Sequence, residues 1–242
     1  MIYAMSDIHG QYEQFRNLME QIRFQKEDTL YILGDVVDRG PEPMKILKYM
    51  MTHSNIIPII GNHEVMALPN LKLLIPEISQ NFLDELPPQV YQDFADWTQN
   101  GGIRTIQDFR KLPQEERCQI VEYMESFRPY GREIVNSQEY WLVHAGLGHF
   151  SETKCLEEYS MDDLVWTRTA YEIPYFDDVM VISGHTPTQN ILGNSRPGYI
   201  LRKIITLRLT AAQAKTMEDW QRFVWIQGKN IMQDKMHQNK LG

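Results

Sequence analysis

A chain of 242 residues that is 43% apolar and 11% aromatic has enough to bury one sizeable core, which excludes disordered, collagen-like and coiled-coil architectures. The 32 acidic and 24 basic residues leave a net charge of −8, so nonspecific attraction to nucleic-acid phosphates or anionic lipid is disfavoured. No apolar run approaches the roughly 18 residues of a membrane span, and the opening MIYAMSDIHG lacks a secretory-leader pattern; the expectation is a cytoplasmic protein without nucleic-acid or membrane partners. Cys118 and Cys155 stand in no metal-type spacing and read as unpaired thiols of a reducing compartment.

Five short apolar runs, rich in β-branched or aromatic residues, each end in residues able to bind metal or phosphate. In chain order, 2–5 runs into Asp7 and His9, 29–33 into Asp35, Asp38 and Arg39, 56–60 into Asn62, His63 and Glu64, 140–143 into His144, and 179–182 into His185. Helical spacing separates the first three: Phe15, Leu18, Met19 and Ile22 within 11–24, then Met44, Leu47, Met50 and Met51 within 41–52. Asp7, Asp35 and Asn62 are 28 and 27 residues apart, close to one right-handed crossover each, so three parallel strands deliver their ends to one sheet edge, where open α/β sheets bind ligands. From Glu64 to about residue 130 the pattern becomes helical, punctuated by Pro69, Pro76, Pro87, Pro88, Pro113 and the turn Asn100-Gly101-Gly102. This reads as a helical insertion within one domain.

Asp7, His9, Asp35, Asn62, His144 and His185 are oxygen and imidazole donors without a thiolate, a set suited to Mn²⁺, Fe or Zn²⁺. Six ligands are too many for one catalytic ion. Two ions sharing a carboxylate would sit roughly 3.5–4 Å apart and lower the pKa of a shared water toward about 7, the chemistry of phosphoester hydrolysis. Singly the pieces are weak, since Asp7 also fits a helix cap and a histidine after a strand is usually structural. Their joint placement at strand ends carries the reading. His53, His149 and His237 lack that setting and read as structural.

In order and spacing these five motifs resemble the calcineurin-like metallophosphoesterases, and within them the phosphoprotein phosphatase family, especially its small bacterial Ser/Thr phosphatases; the likeness covers about residues 1–203. It implies an α/β sandwich of two mixed β-sheets flanked by helices. It also implies that Asp7, His9 and Asp35 hold one divalent ion while Asp35, Asn62, His144 and His185 hold the other, with Mn²⁺ the first expectation. His63 resembles the family's general acid and Asp38 the carboxylate orienting it. Arg39 and Arg168, with Asn62 beside them, resemble its phosphate-binding residues. The segment from Trp97 to Gly102 resembles a family insertion motif and receives no chemical role. The implied activity is hydrolysis of phosphoserine or phosphothreonine in proteins by a metal-bridging hydroxide. The alternatives are symmetrical dinucleoside tetraphosphate hydrolysis or an inactive binding module. Substrate and partner are thus a phosphorylated protein or a small phosphoester; oligomeric state is open.

After Lys203 the resemblance stops. Codons can be chosen for Ile204 onward such that reading one nucleotide earlier gives Asn-Asn-His-Ile-Ala-Ile-Asp-Cys-Gly-Ala, the type of sequence the family carries there. Residues 204–242 therefore read as an atypical tail encoded in a shifted frame, with divergence of an exposed terminus as the alternative. The expectation is one strand within 199–209, none after it, and a helix over 211–226.

Overall fold

The computed structural model describes residues 1–79, 81–82, 84–168 and 175–187 in full, and the backbone of short strands at 199–200, 206–209 and 224–225. Strands β1 (Ile2–Met5), β2 (Thr29–Leu33) and β3 (Ile56–Ile59) are parallel, joined by helices α1 (Tyr12–Gln21) and α2 (Pro43–Met51). β1 and β2 are largely buried on both faces, which accounts for their nearly continuous apolar sequence. Phe15, Leu18 and Met19 of α1 and Met44, Ile46, Leu47 and Met50 of α2 turn one buried stripe to the sheet. Met5 pairs with Ile32, and Leu33 with Ile59, so Asp7, Asp35 and Asn62 emerge side by side just past the paired ends.

The second sheet is built on β4 (Gly131–Val135), β5 (Gln138–Leu142) and β6 (Val179–Ser183), with β4 and β5 antiparallel and β5 and β6 parallel. Leu142 pairs with Ile182, which brings His144 and His185 past one common edge. β4 is absent from the sequence-based expectation. It is a hairpin partner of β5, closed by Asn136 and Ser137, both left-handed at φ 51° and 65°, as a two-residue turn matching strand twist requires. Ala4, Tyr31, Leu33 and Ile59 of the first sheet meet Val135, Leu142 and Ile182 of the second, and this contact forms the middle of an α/β sandwich.

The helical segment comprises α3 (Asn62–Leu73), α4 (Pro88–Trp97), a tight turn over Thr98–Gly102, α5 (Ile103–Phe109) and α6 (Gln114–Glu125). Pro88 and Pro113 sit at or just before helix starts, where the missing N–H is tolerated. Trp97, Phe109, Ile120 and Met124 join the apolar cluster of β1, β2, α1 and α2. Helix α7 (Met161–Val165) follows, its first turn capped by Ser160.

The tail departs from expectation where it is described. Tyr199–Ile200 (β7) and Thr206–Leu209 (β8) are two antiparallel strands, and β8 extends the second sheet beside β6. Val224–Trp225 (β9) is a strand and not part of a helix, pairing antiparallel with β1. Both additions satisfy sheet edges whose N–H and C=O groups would otherwise be unpaired. The rest of the expected helix over 211–226 lies outside the described residues.

Candidate metal centre

The strand ends form one buried cluster on a strained backbone. Asp7, His9, Asp35, Asp38, Arg39 and His185 all have φ between 44° and 71°, a region costly for side chains with a Cβ and concentrated at functional sites. Cross-loop hydrogen bonds hold them there: Asp7 N–H to Gly34 C=O at 3.1 Å and His9 N–H to Asp35 C=O at 2.8 Å. At Gly34, φ is +75° and a Cβ would lie 2.5 Å from Gly61 and 2.8 Å from the His144 ring. Only glycine permits that approach.

Asp35 lies at the centre. Its Oδ2 is 3.5 Å from His9 Nε2 and its Oδ1 is 3.4 Å from His144 Nε2, so one carboxylate faces two groups: His9 with His63, and His144 with His185. Asn62 Oδ1 stands 2.9 Å from both His144 Nε2 and His185 Nδ1. Asp7 borders this group, its Oδ2 accepting from Ser6 Oγ at 2.5 Å and from the His185 N–H at 3.0 Å. All six expected ligands thus line one region.

Their proton inventory fits a cation. His9 Nδ1–H donates to Val37 C=O at 2.8 Å and His144 Nδ1–H to Leu33 C=O at 2.7 Å. These bonds fix the tautomers and leave both Nε2 lone pairs facing Asp35, the arrangement that second-sphere carbonyls give metal-binding imidazoles. Burial holds His9 well below the ordinary imidazole value and also lowers His144, so both stay in the neutral, ligating form. Burial, then the charge of Asp35, pushes Asp7 up to about 6, and burial also raises Asp35. Carboxylates that resist ionisation beside neutral imidazoles are what a divalent cation reverses.

The His63 ring lies beside His9, and its Nδ1–H donates to Asp38 Oδ2 at 2.6 Å. Burial opposes charge on His63, but the Asp38 hydrogen bond and the Asp35 and Asp38 carboxylates outweigh it and leave the pKa raised. Arg39 sends Nη1 to His9 Nε2 at 2.8 Å and Nη2 to His63 Nε2 at 2.9 Å, which puts its guanidinium across the mouth of the cluster. Arg168 is exposed beyond α7, without a hydrogen-bond or ion-pair partner among the described residues. Ala145 N–H donates to Leu164 C=O at 2.8 Å, tying α7 to the strand end that carries His144.

Sequence reasoning placed Glu64 in the strand-end cluster but gave it no role. It is fully buried in the first turn of α3, and its carboxylate collects backbone N–H groups from both the Asp35 loop and Gly61. Its place directly after Asn62 and His63 was the available signal. His53 stacks on Tyr49 and His149 bonds Asp163 at 2.6 Å, both apart from the cluster; His237 lies outside the described residues. Cys118 and Cys155 are unpaired.

Two sheets flanked by helices, with imidazoles and carboxylates gathered at their shared edge, define an α/β phosphoesterase-type fold. The profile of the calcineurin-like phosphoesterases matches residues 1–205, and the chain belongs to that family. It is 33% identical over 115 residues to a symmetrical bis(5′-nucleosyl)-tetraphosphatase of Buchnera aphidicola, covering 46% of this chain and 41% of that relative. It is 38% identical over 80 residues to one of Wigglesworthia glossinidia, covering 32% and 28%. These alignments take in less than half the length of the curated relatives. Among solved structures, a candidate diadenosine tetraphosphatase superposes with a TM-score of 0.57 at 18% identity, covering 88% of this chain and 83% of that one. A Saccharomyces cerevisiae protein serine/threonine phosphatase gives 0.54 at 17% identity, covering 87% and 67%. Both share the fold.

Proposed function

We propose that this chain is a divalent-metal phosphohydrolase whose preferred substrate is a symmetrical dinucleoside tetraphosphate. The observation carrying the hydrolase reading is the single Asp35 carboxylate set between two imidazole groups. The substrate reading rests on the curated relatives, whose names are those of symmetrical tetraphosphatases. It replaces the protein-phosphatase reading that leads from the motifs alone, because the motifs supply ligands and the loops choose the substrate.

Asp7, His9 and Asp35 would hold one ion, and Asp35, Asn62, His144 and His185 the other. Ions held there would polarise a phosphoryl oxygen and make water nucleophilic near neutral pH. Arg39 and Arg168 bind phosphoryl oxygens, their forked guanidinium donors matching charge that spreads in the transition state. Asn62 borders the same position. With Arg39 turned from His63 Nε2 to the phosphoryl oxygens, that nitrogen is free to take a proton and deliver it to the departing oxygen, with Asp38 holding the opposite nitrogen and stabilising the imidazolium. No helix among the described residues is long and apolar enough to cross a membrane.

Turnover with Mn²⁺ on diadenosine tetraphosphate and on a phosphoserine peptide decides the substrate. The expected result is cleavage of the tetraphosphate into two diphosphates at the higher kcat/KM. Preference for the peptide would restore the protein-phosphatase reading. Failure on both, and on p-nitrophenyl phosphate with the tail restored in frame, would leave only a binding module.

A further inference from the structure

The segment from Trp97 to Thr105 belongs to the helical insertion, yet its polar atoms converge on Asp38, a residue 59 and 67 positions away in the chain. Trp97 Nε1–H lies 3.1 Å from Asp38 Oδ1 and 3.0 Å from Oδ2. Thr105 Oγ1–H donates to Asp38 Oδ1 at 2.6 Å while the same oxygen accepts the Asp38 N–H at 2.8 Å. A hydroxyl has one proton and two lone pairs, so Thr105 uses both capacities on one residue. Asp38, Trp97 and Thr105 are completely buried. Water therefore does not compete for these bonds.

The intervening glycines fit the same contact. Gly101 C=O accepts the Arg39 N–H at 3.1 Å. Gly101 has φ +108°, and a Cβ there would lie 2.8 Å from Arg39 Cγ; a Cβ at Gly102 would lie 2.5 Å from the Trp97 indole. The turn thus presses on Asp38 and Arg39 from behind, where both have left-handed backbone. Trp97, Gly101 and Thr105 each contact the Asp38–Arg39 pair, and Gly102 packs on Trp97.

We propose that Trp97 and Thr105 are positioning residues for the reaction: they fix the Asp38 carboxylate so that His63, bonded to it at 2.6 Å, is aimed at the leaving oxygen. This rests on His63 being the proton donor. The helical insertion is therefore part of the proton-delivery apparatus as well as a cover on the sheet edge. A carboxylate stripped of these donors keeps its contact with His63 but gains freedom to rotate, and misplacement of a proton donor costs most where the leaving group most needs a proton.

The test compares kcat on phenyl phosphate, whose leaving oxygen is strongly basic, with kcat on p-nitrophenyl phosphate, whose leaving oxygen is not, in the full chain with Mn²⁺. Thr105→Val keeps the shape and removes the hydroxyl; Trp97→Phe keeps a ring in the core and removes the N–H. Both are expected to lose on the order of 10-fold or more on phenyl phosphate, part of the 10²–10⁴ a positioned acid contributes, several-fold less on p-nitrophenyl phosphate, and no bound Mn²⁺. Thr105→Ser restores the bond and the phenyl phosphate rate. Equal losses on the two substrates, or none, overturn the inference. His63→Asn separates the two levels: selective loss there with none in Thr105→Val sinks the positioning role alone, whereas no selectivity in His63→Asn removes the proton-donor reading and the inference with it.

Discussion

Glu64 lies in the first turn of helix α3 and Asp35 in the loop after β2, yet the Glu64 Oε2 accepts the Asp35 backbone N–H at 2.7 Å and the Gly61 N–H at 2.9 Å, while Oε1 accepts those of Val36 at 2.8 Å and Val37 at 3.2 Å. One buried carboxylate thereby ties the ends of β2 and β3 together through four donors. Glu64→Gln turns an amide NH₂ toward backbone N–H groups and leaves buried donors unmatched, at about 1–3 kcal/mol for each. For a chain of this size each kcal/mol lowers Tm by roughly 2–4 °C. Thermal denaturation of the variant is expected to show a clear drop; melting at the wild-type temperature would remove this role.

His63→Ala is expected to lower turnover by on the order of 10²–10⁴ while leaving bound metal nearly unchanged, because His63 ties to Asp38 and outside its proposed ligand role. Steady-state kinetics with metal analysis of the same sample checks both halves. Full activity refutes the role; loss of metal makes His63 a ligand.

The Asp7 pKa of about 6 in the folded chain, against an ordinary 3.8, fixes the sign of a pH effect. Between roughly pH 4 and 6 this carboxyl of the metal-free folded protein keeps a proton that the unfolded chain has released, so its contribution to stability falls as pH rises through that window. Bound metal requires the ionised carboxylate, so its stabilisation grows with pH. Neutral, buried His9 and His144 act in the opposite direction, so the comparison isolates Asp7: urea unfolding in EDTA is expected to show Asp7→Asn gaining stability relative to wild type as pH rises from 4 to 6; a difference that does not change with pH would contradict the burial argument.

The strand ends were legible because each apolar run stops at small residues followed by potential ligands, and helical spacing fixed the crossovers between Asp7, Asp35 and Asn62. β4 was not, because it is an outer strand with Arg132 and Ile134 exposed, and its closing turn uses Ser137 where glycine is the usual signal. The backbone of Asp35 is held by Glu64, 29 residues away, and that of Asp38 by Thr105, 67 residues away, contacts which local pattern cannot express. Val224–Trp225 became a strand because an open edge of β1 decides more than the helical composition around it.

We propose that the tail after Lys203 is read in a shifted frame. The profile match ending at residue 205 agrees with the point at which the resemblance stops. Sequencing the gene tests this directly: codons from Ile204 onward that yield Ile-Asp-Cys-Gly one nucleotide earlier support it, and codons incapable of that reading eliminate it.

Two ions sharing Asp35 is the claim on which the rest depends. Calorimetric titration of chelator-stripped protein with Mn²⁺, on wild type and on Asp35→Asn, measures it. Two equivalents for wild type and the loss of at least one in the variant are expected; a single equivalent in wild type, or two undiminished in Asp35→Asn, would contradict it.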